Sequence, residues 1–158
     1  MNYDKIIKDF MKEEYAKQIT EWNYEGEYAV YNLPSYDVCK EKKYGIVRED
    51  KKDNYIVYII DSEVVFYLNM KPMNNKLYVG VGLNPKYCGQ GRGKYFLDDS
   101  IKEIKKRYPR NVLFLEVRSW NKRAIKSYQN VGFKIVGSVT SKDRFGNYSD
   151  FVQMEMSY

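Results

Sequence analysis

The 158-residue sequence contains no histidine. Ser-His-Asp and Cys-His catalytic groups are therefore excluded, and a catalytic zinc site is not expected, because its usual ligand sets include histidine. The sequence has only two cysteines, Cys39 and Cys88, and neither lies in a Cys-x-x-Cys pair, so both are expected to be free thiols. Any proton transfer must use tyrosine, aspartate, glutamate, lysine, cysteine or water.

Long apolar runs are also missing. The sequence has no stretch of about 18 apolar residues, so no transmembrane helix is expected. The first residues, MNYDKIIKDFMKEEYAKQ, are charged throughout and lack the apolar centre of a secretory signal, which predicts a cytoplasmic protein. Hydrophobic residues still make up 44% of the chain, enough for a core, and the length predicts one domain over residues 1–158.

Positive charge is concentrated in one part of the chain. The formal net charge is +6, and the segment from Lys86 to Lys126 contains 12 basic and 4 acidic residues, which gives +8 there and −2 elsewhere. A solvated basic face explains this as well as a polyphosphate ligand or nucleic acid does. Nucleic acid is disfavoured because no helix-turn-helix or RNA-binding signature is present.

Hydrophobic periodicity predicts the order β-α-α-β-β-β-α-β-α-β-β, an α/β fold with a mixed sheet and helices on its faces. Ser35 is a candidate helix cap, and the clearest helix runs over residues 93–108, before Pro109. Its apolar stripe comprises Phe96, Leu97, Ser100, Ile101, Ile104 and Tyr108.

The strand KLYVGVGL carries two glycines, Gly80 and Gly82, which indicate a bulge or a close backbone approach. The segment just before it, KPMNNK at residues 71–76, is polar and contains proline, so a short loop is predicted there.

Three glycines stand close together in NPKYCGQGRGKYF, between this strand and the clearest helix. Strand, glycine-rich turn and helix form an anion site, because the first helical N–H groups lack partners and glycine leaves room for a phosphate. A purely structural turn is the alternative. A Walker loop is excluded because Tyr95 follows Gly93 and Lys94, and a dinucleotide-binding loop is excluded because several elements precede this turn.

A second cluster lies in VRSWNKRAIKSYQNVGFKIVG, and its fixed positions are Asn121, Ala124, Tyr128, Gly132 and Phe133. Together the two clusters resemble the GNAT superfamily of acyl-CoA-dependent N-acetyltransferases. The second cluster matches the family pattern N-x-x-A-x-x-x-Y-x-x-x-G-F throughout. The pyrophosphate signature, Q/R-x-x-G-x-G/A, falls on Cys88, Gly91 and Gly93, with Cys88 replacing the preferred Gln or Arg.

The resemblance covers roughly residues 77–137 and implies a mixed, mostly antiparallel sheet of about six or seven strands with helices on both faces. It also implies acetyl-CoA as the acyl donor. Backbone groups near Leu83 would pair with the pantetheine, and N–H groups from Gly89 to Lys94 would hold the pyrophosphate. The implied binding residues are Val81, Leu83, Cys88, Gly89, Gln90, Gly91, Arg92, Gly93, Lys94, Asn121, Lys122 and Arg123. For Lys122 and Arg123 the equal alternative to phosphate binding is that they are simply exposed residues at the start of a helix.

The reaction implied by the resemblance is direct attack of an amine on the acetyl carbonyl, with Tyr128 serving the leaving thiolate. Because a thiol has a pKa of about 8.5 and a tyrosine about 10, Tyr128 is expected to donate a strong hydrogen bond rather than transfer its proton fully. The alternative is that Tyr128 is a core residue without a role in the reaction. The strand before the turn has no carboxylate, so the general base is open between Glu116, the exposed Asp61 or Glu63, and water.

In this family the first two helices and the last hairpin shape the acceptor pocket, which here carry EWNYEGEYAVYN and KDRFGNYSD. Trp22, Tyr24, Tyr28 and Tyr31 are candidates to line an amine site, although a core role is the alternative. The acceptor stays open among a protein N-terminus, a lysine, a polyamine, an aminoglycoside and an amino acid. Whether the protein forms a homodimer is equally open. A non-catalytic acyl-CoA-binding module of the same fold is the second hypothesis, and a nucleic-acid-binding domain is the third.

Overall fold

The computed structural model describes all residues, 1–158. Its strands and helices follow the predicted order, and short 3-10 turns, among them Pro85–Tyr87, fill several connections. The elements are β1 (Ile7–Asp9), α1 (Glu13–Thr20), α2 (Tyr36–Glu41), β2 (Tyr55–Ile60), β3 (Glu63–Met73), β4 (Lys76–Leu83), α3 (Gly93–Arg107), β5 (Val112–Arg118), α4 (Lys122–Asn130), β6 (Lys134–Lys142) and β7 (Tyr148–Met156).

The seven strands form one sheet in the order β1-β2-β3-β4-β5-β7-β6. The β4–β5 pair is parallel, whereas β1–β2, β2–β3, β5–β7 and β6–β7 are antiparallel. The prediction of a mixed, mostly antiparallel sheet of six or seven strands with helices is confirmed. Ser35 also caps α2 as predicted, because its hydroxyl oxygen accepts a hydrogen bond from the Val38 N–H at 3.3 Å.

The predicted loop at residues 71–76 is wrong in its extent. Strand β3 continues to Met73 and β4 already begins at Lys76, so only Asn74 and Asn75 form the turn. Asn74 has a φ of +54°, which asparagine tolerates better than most residues, and this allows a two-residue connection. The end of this hairpin is exposed, so its polar composition reflects solvent contact rather than irregular backbone.

The chain divides into two compact units. The first comprises Met1–Asn69 and Val81–Gln90, and the second comprises Met70–Gly80 and Gly91–Tyr158. The single domain over residues 1–158 stays a prediction. In the first unit, α1 packs with β2 and β3 around a core of Met11, Ala16, Ile19, Ile46, Tyr55, Val57, Ile59 and Val64. The buried side chains of the second unit include those of α3 and β5, namely Phe96, Leu97, Ile104, Leu113, Leu115 and Val117.

Gly82 on β4 marks the close approach of a side chain, whereas the sequence indicated a bulge or a close backbone approach. A Cβ at this position would lie 2.7 Å from Cζ of Tyr67, closer than real Cβ atoms come to a ring. The Tyr67 ring has little room to move, because it stacks on Trp22 at a centroid distance of 5.9 Å and lies 6.1 Å from Tyr55. Only glycine therefore fits at position 82 without displacing these rings.

We expect Gly82→Ala to lower the free energy of unfolding by about 1–3 kcal/mol, the usual range for an overpacked site. Denaturant unfolding measures the change. In the Tyr67→Ala background the same substitution should cost much less, because the clashing ring is gone. An equal loss in both backgrounds would contradict the steric explanation.

Candidate active site

The glycine-rich turn leads directly from the 3-10 turn Pro85–Tyr87 into α3. Gly89 and Gly91 both have a φ of +72°, a conformation that other residues rarely adopt, whereas Gly93 has no such requirement. A Cβ at Gly91 or Gly93 would meet no protein atom within 4 Å. The open space beside both positions is what a bound phosphate would need.

The first turns of α3 and α4 share an unusual charge pattern. Neither contains an acidic residue, although acidic side chains normally stabilise this end of a helix. Lys94 lies in the first turn of α3, and Lys122 and Arg123 begin α4. Arg92, at the N-cap of α3, makes no side-chain capping bond. Both helix starts therefore favour an anion.

At the end of β4, the carbonyl of Leu83 accepts hydrogen bonds from two side chains. The Tyr24 hydroxyl donates at 2.7 Å, and the Cys88 thiol donates weakly at 3.7 Å. Cys88, which replaces the Gln or Arg of the family signature, thus folds back onto β4. Val81 is half-buried on the same strand, and the Gln90 side chain donates to the Lys86 carbonyl at 3.0 Å.

Asn121 is buried at the start of α4. Its side-chain oxygen accepts a hydrogen bond from the Ala124 N–H at 3.1 Å, so the geometry seen here is that of a helix N-cap. Lys122 and Arg123, which follow it, are exposed. The predicted contact between Asn121 and a pantetheine arm stays a prediction.

Tyr128 lies on α4 and is half-buried. Its ring meets that of Phe133 edge-on at a centroid distance of 5.8 Å, and its carbonyl accepts from the Phe133 N–H at 3.0 Å. Helix α4 contacts α3, so Tyr128 is carried by a helix that packs on the one starting at the glycine turn.

The candidate general bases lie in different settings. Glu63 accepts a short hydrogen bond from the Tyr87 hydroxyl and is 3.4 Å from the Lys86 ammonium, so it is already engaged by two partners. Glu116 on β5 is exposed and accepts from the Gln153 amide at 3.3 Å. Asp61 is exposed in the β2–β3 turn.

The aromatic loop between α1 and α2 is held by an asparagine that the sequence analysis did not single out. The Asn32 side chain accepts from the Tyr24 N–H at 2.7 Å and donates to the Tyr24 carbonyl at 3.1 Å. Tyr24 and Tyr31 meet edge-on at 6.3 Å. No periodic signal marks Asn32, because its partner lies eight residues away in irregular backbone.

A second feature missed from the sequence is an ion pair at 3.3 Å between Asp143 of the β6–β7 hairpin and Arg118 at the end of β5. The side chains are only 11% and 8% exposed, and Arg118 also donates to the Ser149 hydroxyl at 3.0 Å. Burial opposes the ionisation of Asp143, but hydrogen bonds from the N–H groups of Asn147 and Phe145, together with Arg118, outweigh it and lower its pKa. Asp143 thus joins the hairpin turn to the end of β5.

We expect Asp143→Asn to lower the Tm at neutral pH, because the charge opposite Arg118 is lost. Since the pKa of Asp143 is lowered in the folded state, its stabilisation is fully present above the ordinary value of 3.8 and disappears as the pH falls below it. The Tm difference between the two proteins should therefore shrink in acid. Asp150→Asn, on the same hairpin, is the control, and a difference independent of pH would contradict the ion pair.

The chain matches the model of the Acetyltransferase (GNAT) family over residues 15–133. It therefore belongs to the GNAT acetyltransferase family, whose acyl donor is acetyl-CoA. A search of curated proteins finds no match. None of the helices is long and apolar enough to cross a membrane.

Solved structures share the fold at low sequence identity. A spermidine N-acetyltransferase SpeG chimera from Vibrio cholerae and hSSAT has a TM-score of 0.74 and 16% identity, covering 96% of this chain and 95% of its own. The protein yncA from Salmonella typhimurium, solved with acetyl-CoA, has a TM-score of 0.69 and 17% identity, with coverages of 96% and 93%. The ribosomal-protein-S18-alanine N-acetyltransferase from Escherichia coli has a TM-score of 0.67 and 18% identity, with coverages of 96% and 92%.

Proposed function

We propose that the protein transfers an acetyl group from acetyl-CoA to a primary amine by direct attack. The observation that carries this proposal is the turn at Gly89–Gly93, where two left-handed glycines precede a helix start that has open space, no acidic residue and a lysine. An anion at this point would interact favourably with the N–H groups and the positive dipole end of the helix start.

The residues present fit the donor. The N–H groups of residues 89–94 would hold its pyrophosphate, because no side chain at Gly91 or Gly93 stands in the way. Backbone groups of Val81 and Leu83 would pair with the pantetheine. Lys122 and Arg123, exposed at the start of α4, would face its remaining phosphate.

The carbonyl of Leu83 already accepts hydrogen bonds from side chains, and these affect its pairing with the pantetheine. A carbonyl oxygen has two lone pairs, and here the Tyr24 hydroxyl and the Cys88 thiol each donate to it. The Cys88 contact is the weaker of the two at 3.7 Å, so a pantetheine amide would displace the thiol more readily than the Tyr24 hydroxyl.

Bound acetyl-CoA supplies the acetyl group as a thioester. The role of Tyr128 is to hold its hydroxyl proton toward the leaving sulfur and so stabilise the negative charge that develops there. An N–H group near Val81 or Leu83 would stabilise the oxyanion. Because β4 carries no carboxylate and Glu63 is engaged by Lys86 and Tyr87, water is our proposed route for the amine proton.

The acceptor is proposed only as a primary amine. The named relatives include one acting on spermidine and one acting on an alanine of a ribosomal protein, so the shared fold does not choose between a small polyamine and a protein terminus.

Calorimetric titration with acetyl-CoA tests the proposal, with ATP, NAD and duplex DNA as controls. We expect selective binding near one molecule per chain, followed by release of free thiol when the acceptor amine is added. Binding without turnover on any amine would favour a non-catalytic acyl-CoA-binding module. Absence of acetyl-CoA binding would reject the proposal.

A further inference from the structure

The segment that leads into the glycine turn is fastened to the start of β3 by a set of side-chain contacts that has no role in the chemistry described above. We name this set the clasp, and it consists of Glu63, Asn84 and Tyr87. All three lie in the first compact unit.

Asn84 forms one half of the clasp and is buried, with 9% of its surface exposed. Its N–H donates to the Val65 carbonyl at 2.9 Å, and its side-chain amide donates to the Val64 carbonyl at 3.1 Å. Its side-chain oxygen accepts from the Lys86 N–H at 3.0 Å. One side chain therefore joins the backbone of β3 to the backbone of the turn Pro85–Tyr87.

Glu63 and Tyr87 form the other half. The Tyr87 hydroxyl donates a short hydrogen bond to Glu63, and the Lys86 ammonium lies 3.4 Å from the same carboxylate. The bond to Glu63, together with burial, raises the pKa of Tyr87, in agreement with its hydroxyl acting as the donor.

The base of the clasp is itself fixed. Gln18 on α1 accepts from the Val64 N–H at 2.8 Å and donates to the Ser62 carbonyl at 3.0 Å, so it spans both sides of Glu63. Asp61 and Ser62 form the tight β2–β3 turn with φ values of +48° and +67°. Glu63 thus projects from a position defined by both the hairpin and α1.

After the clasp the chain runs through Cys88 and then through Gly89, Gln90 and Gly91. Glycine loses more conformational freedom on ordering than any other residue, and here it offers no side chain to pack. Such a turn is ordered mainly by the residues around its glycines. On its N-terminal side these are the clasp and the Gln90 side chain, which donates to the Lys86 carbonyl at 3.0 Å.

We propose that Glu63 and Asn84 are positioning residues that hold the glycine turn in its phosphate-binding form. This inference rests on the proposed acetyl-CoA function. It predicts that weakening the clasp impairs recognition of the pyrophosphate and leaves recognition of the thioester end intact.

Glu63→Ala tests the inference, with binding measured for acetyl-CoA and for S-acetylpantetheine, which lacks the pyrophosphate. We expect the dissociation constant for acetyl-CoA to rise about five- to tenfold, which is within the net effect of one intramolecular hydrogen bond, with no change for S-acetylpantetheine. Glu63→Gln should recover most of the affinity, because its amide oxygen still accepts from Tyr87. Glu49→Ala is the matched control, since Glu49 also pairs with a lysine, Lys52 at 2.8 Å, but lies outside the clasp.

A second measurement needs no ligand. Hydrogen–deuterium exchange over residues 85–96 should become faster in Glu63→Ala and in Tyr87→Phe, and should stay unchanged in Glu49→Ala. Unaltered exchange over these residues, or an equal loss of affinity for both thioesters, would overturn the inference. The proposed function would still stand in that case if the wild type binds acetyl-CoA. If the wild type binds no acetyl-CoA, the proposed function falls and the inference falls with it.

Discussion

Gly91→Glu should lower the affinity for acetyl-CoA by about 10²- to 10³-fold, because it places a carboxylate where the pyrophosphate would bind and like charges repel strongly at such a site. A Cβ at position 91 would meet no protein atom within 4 Å. Calorimetric titration of the folded variant measures the loss directly. Normal affinity would mean that the turn is structural and does not hold the phosphate.

The backbone needs a separate control, because Gly91 has a φ of +72° and any side chain there is strained. Gly146→Glu introduces the same side chain at a φ of +79°, also with open space around it, in the β6–β7 turn. Both variants should lose similar stability, about 1–2 kcal/mol for a left-handed non-glycine residue. Only Gly91→Glu should lose acetyl-CoA binding.

Gly93→Ala separates binding from stability within the same turn. Gly93 lacks a positive φ and a Cβ there meets no protein atom, so alanine should leave the fold unchanged or stabilise it by up to about 1 kcal/mol. A methyl group at that position would still separate the helix N–H groups from a phosphate, so affinity should fall about tenfold, or 1.4 kcal/mol.

Tyr128→Phe should reduce kcat by about 10²-fold and leave the dissociation constant for acetyl-CoA nearly unchanged, because the hydroxyl acts on charge that develops only during the reaction. The ring contact with Phe133 survives the substitution, so the fold of α4 should persist. Thiol release under single-turnover conditions, with the acceptor amine in excess, measures the effect.

A second tyrosine serves as the control for the loss of a phenol. Tyr108 is half-buried at the end of α3, outside the proposed machinery, and Tyr108→Phe should leave kcat unaltered. If Tyr128→Phe also turns over at the wild-type rate across the pH range, Tyr128 is a core residue and another group serves the leaving sulfur.

The sequence was sufficient for the order of the elements because each strand and helix is set by local periodicity. The α3 stripe shows this, since Phe96, Leu97, Ser100 and Ile104 are buried as their spacing predicts, and the other two members, Ile101 and Tyr108, are half-buried. The glycine at position 82 was predicted to mark a bulge or a close backbone approach, and the group that comes near is instead the Tyr67 side chain. A glycine in a strand indicates that something comes near, and only the sheet register shows what it is.

Contacts between distant parts of the chain could not be predicted from local periodicity. Arg118 pairs with Asp143 and Asn84 binds Val64 because strand pairing and chain reversal bring them together, and neither follows from periodicity. The charged and polar residues involved are also common on protein surfaces, so their presence in the sequence did not indicate these contacts. The individual ligand-binding residues, from Val81 to Arg123, remain predictions for the same reason.

Helix α3 has 15 residues and is therefore about 22 Å long at 1.5 Å per residue. Its last turn carries Lys105, Lys106 and Arg107, at the opposite end from the glycine turn. At physiological ionic strength electrostatic interactions between exposed charges are screened over about 8 Å, much less than this length. The cations at the two ends of α3 are thus electrically independent of each other. The cations at the end of α3 stabilise the negative pole of the helix, and they leave the attraction of phosphate to the residues at its beginning.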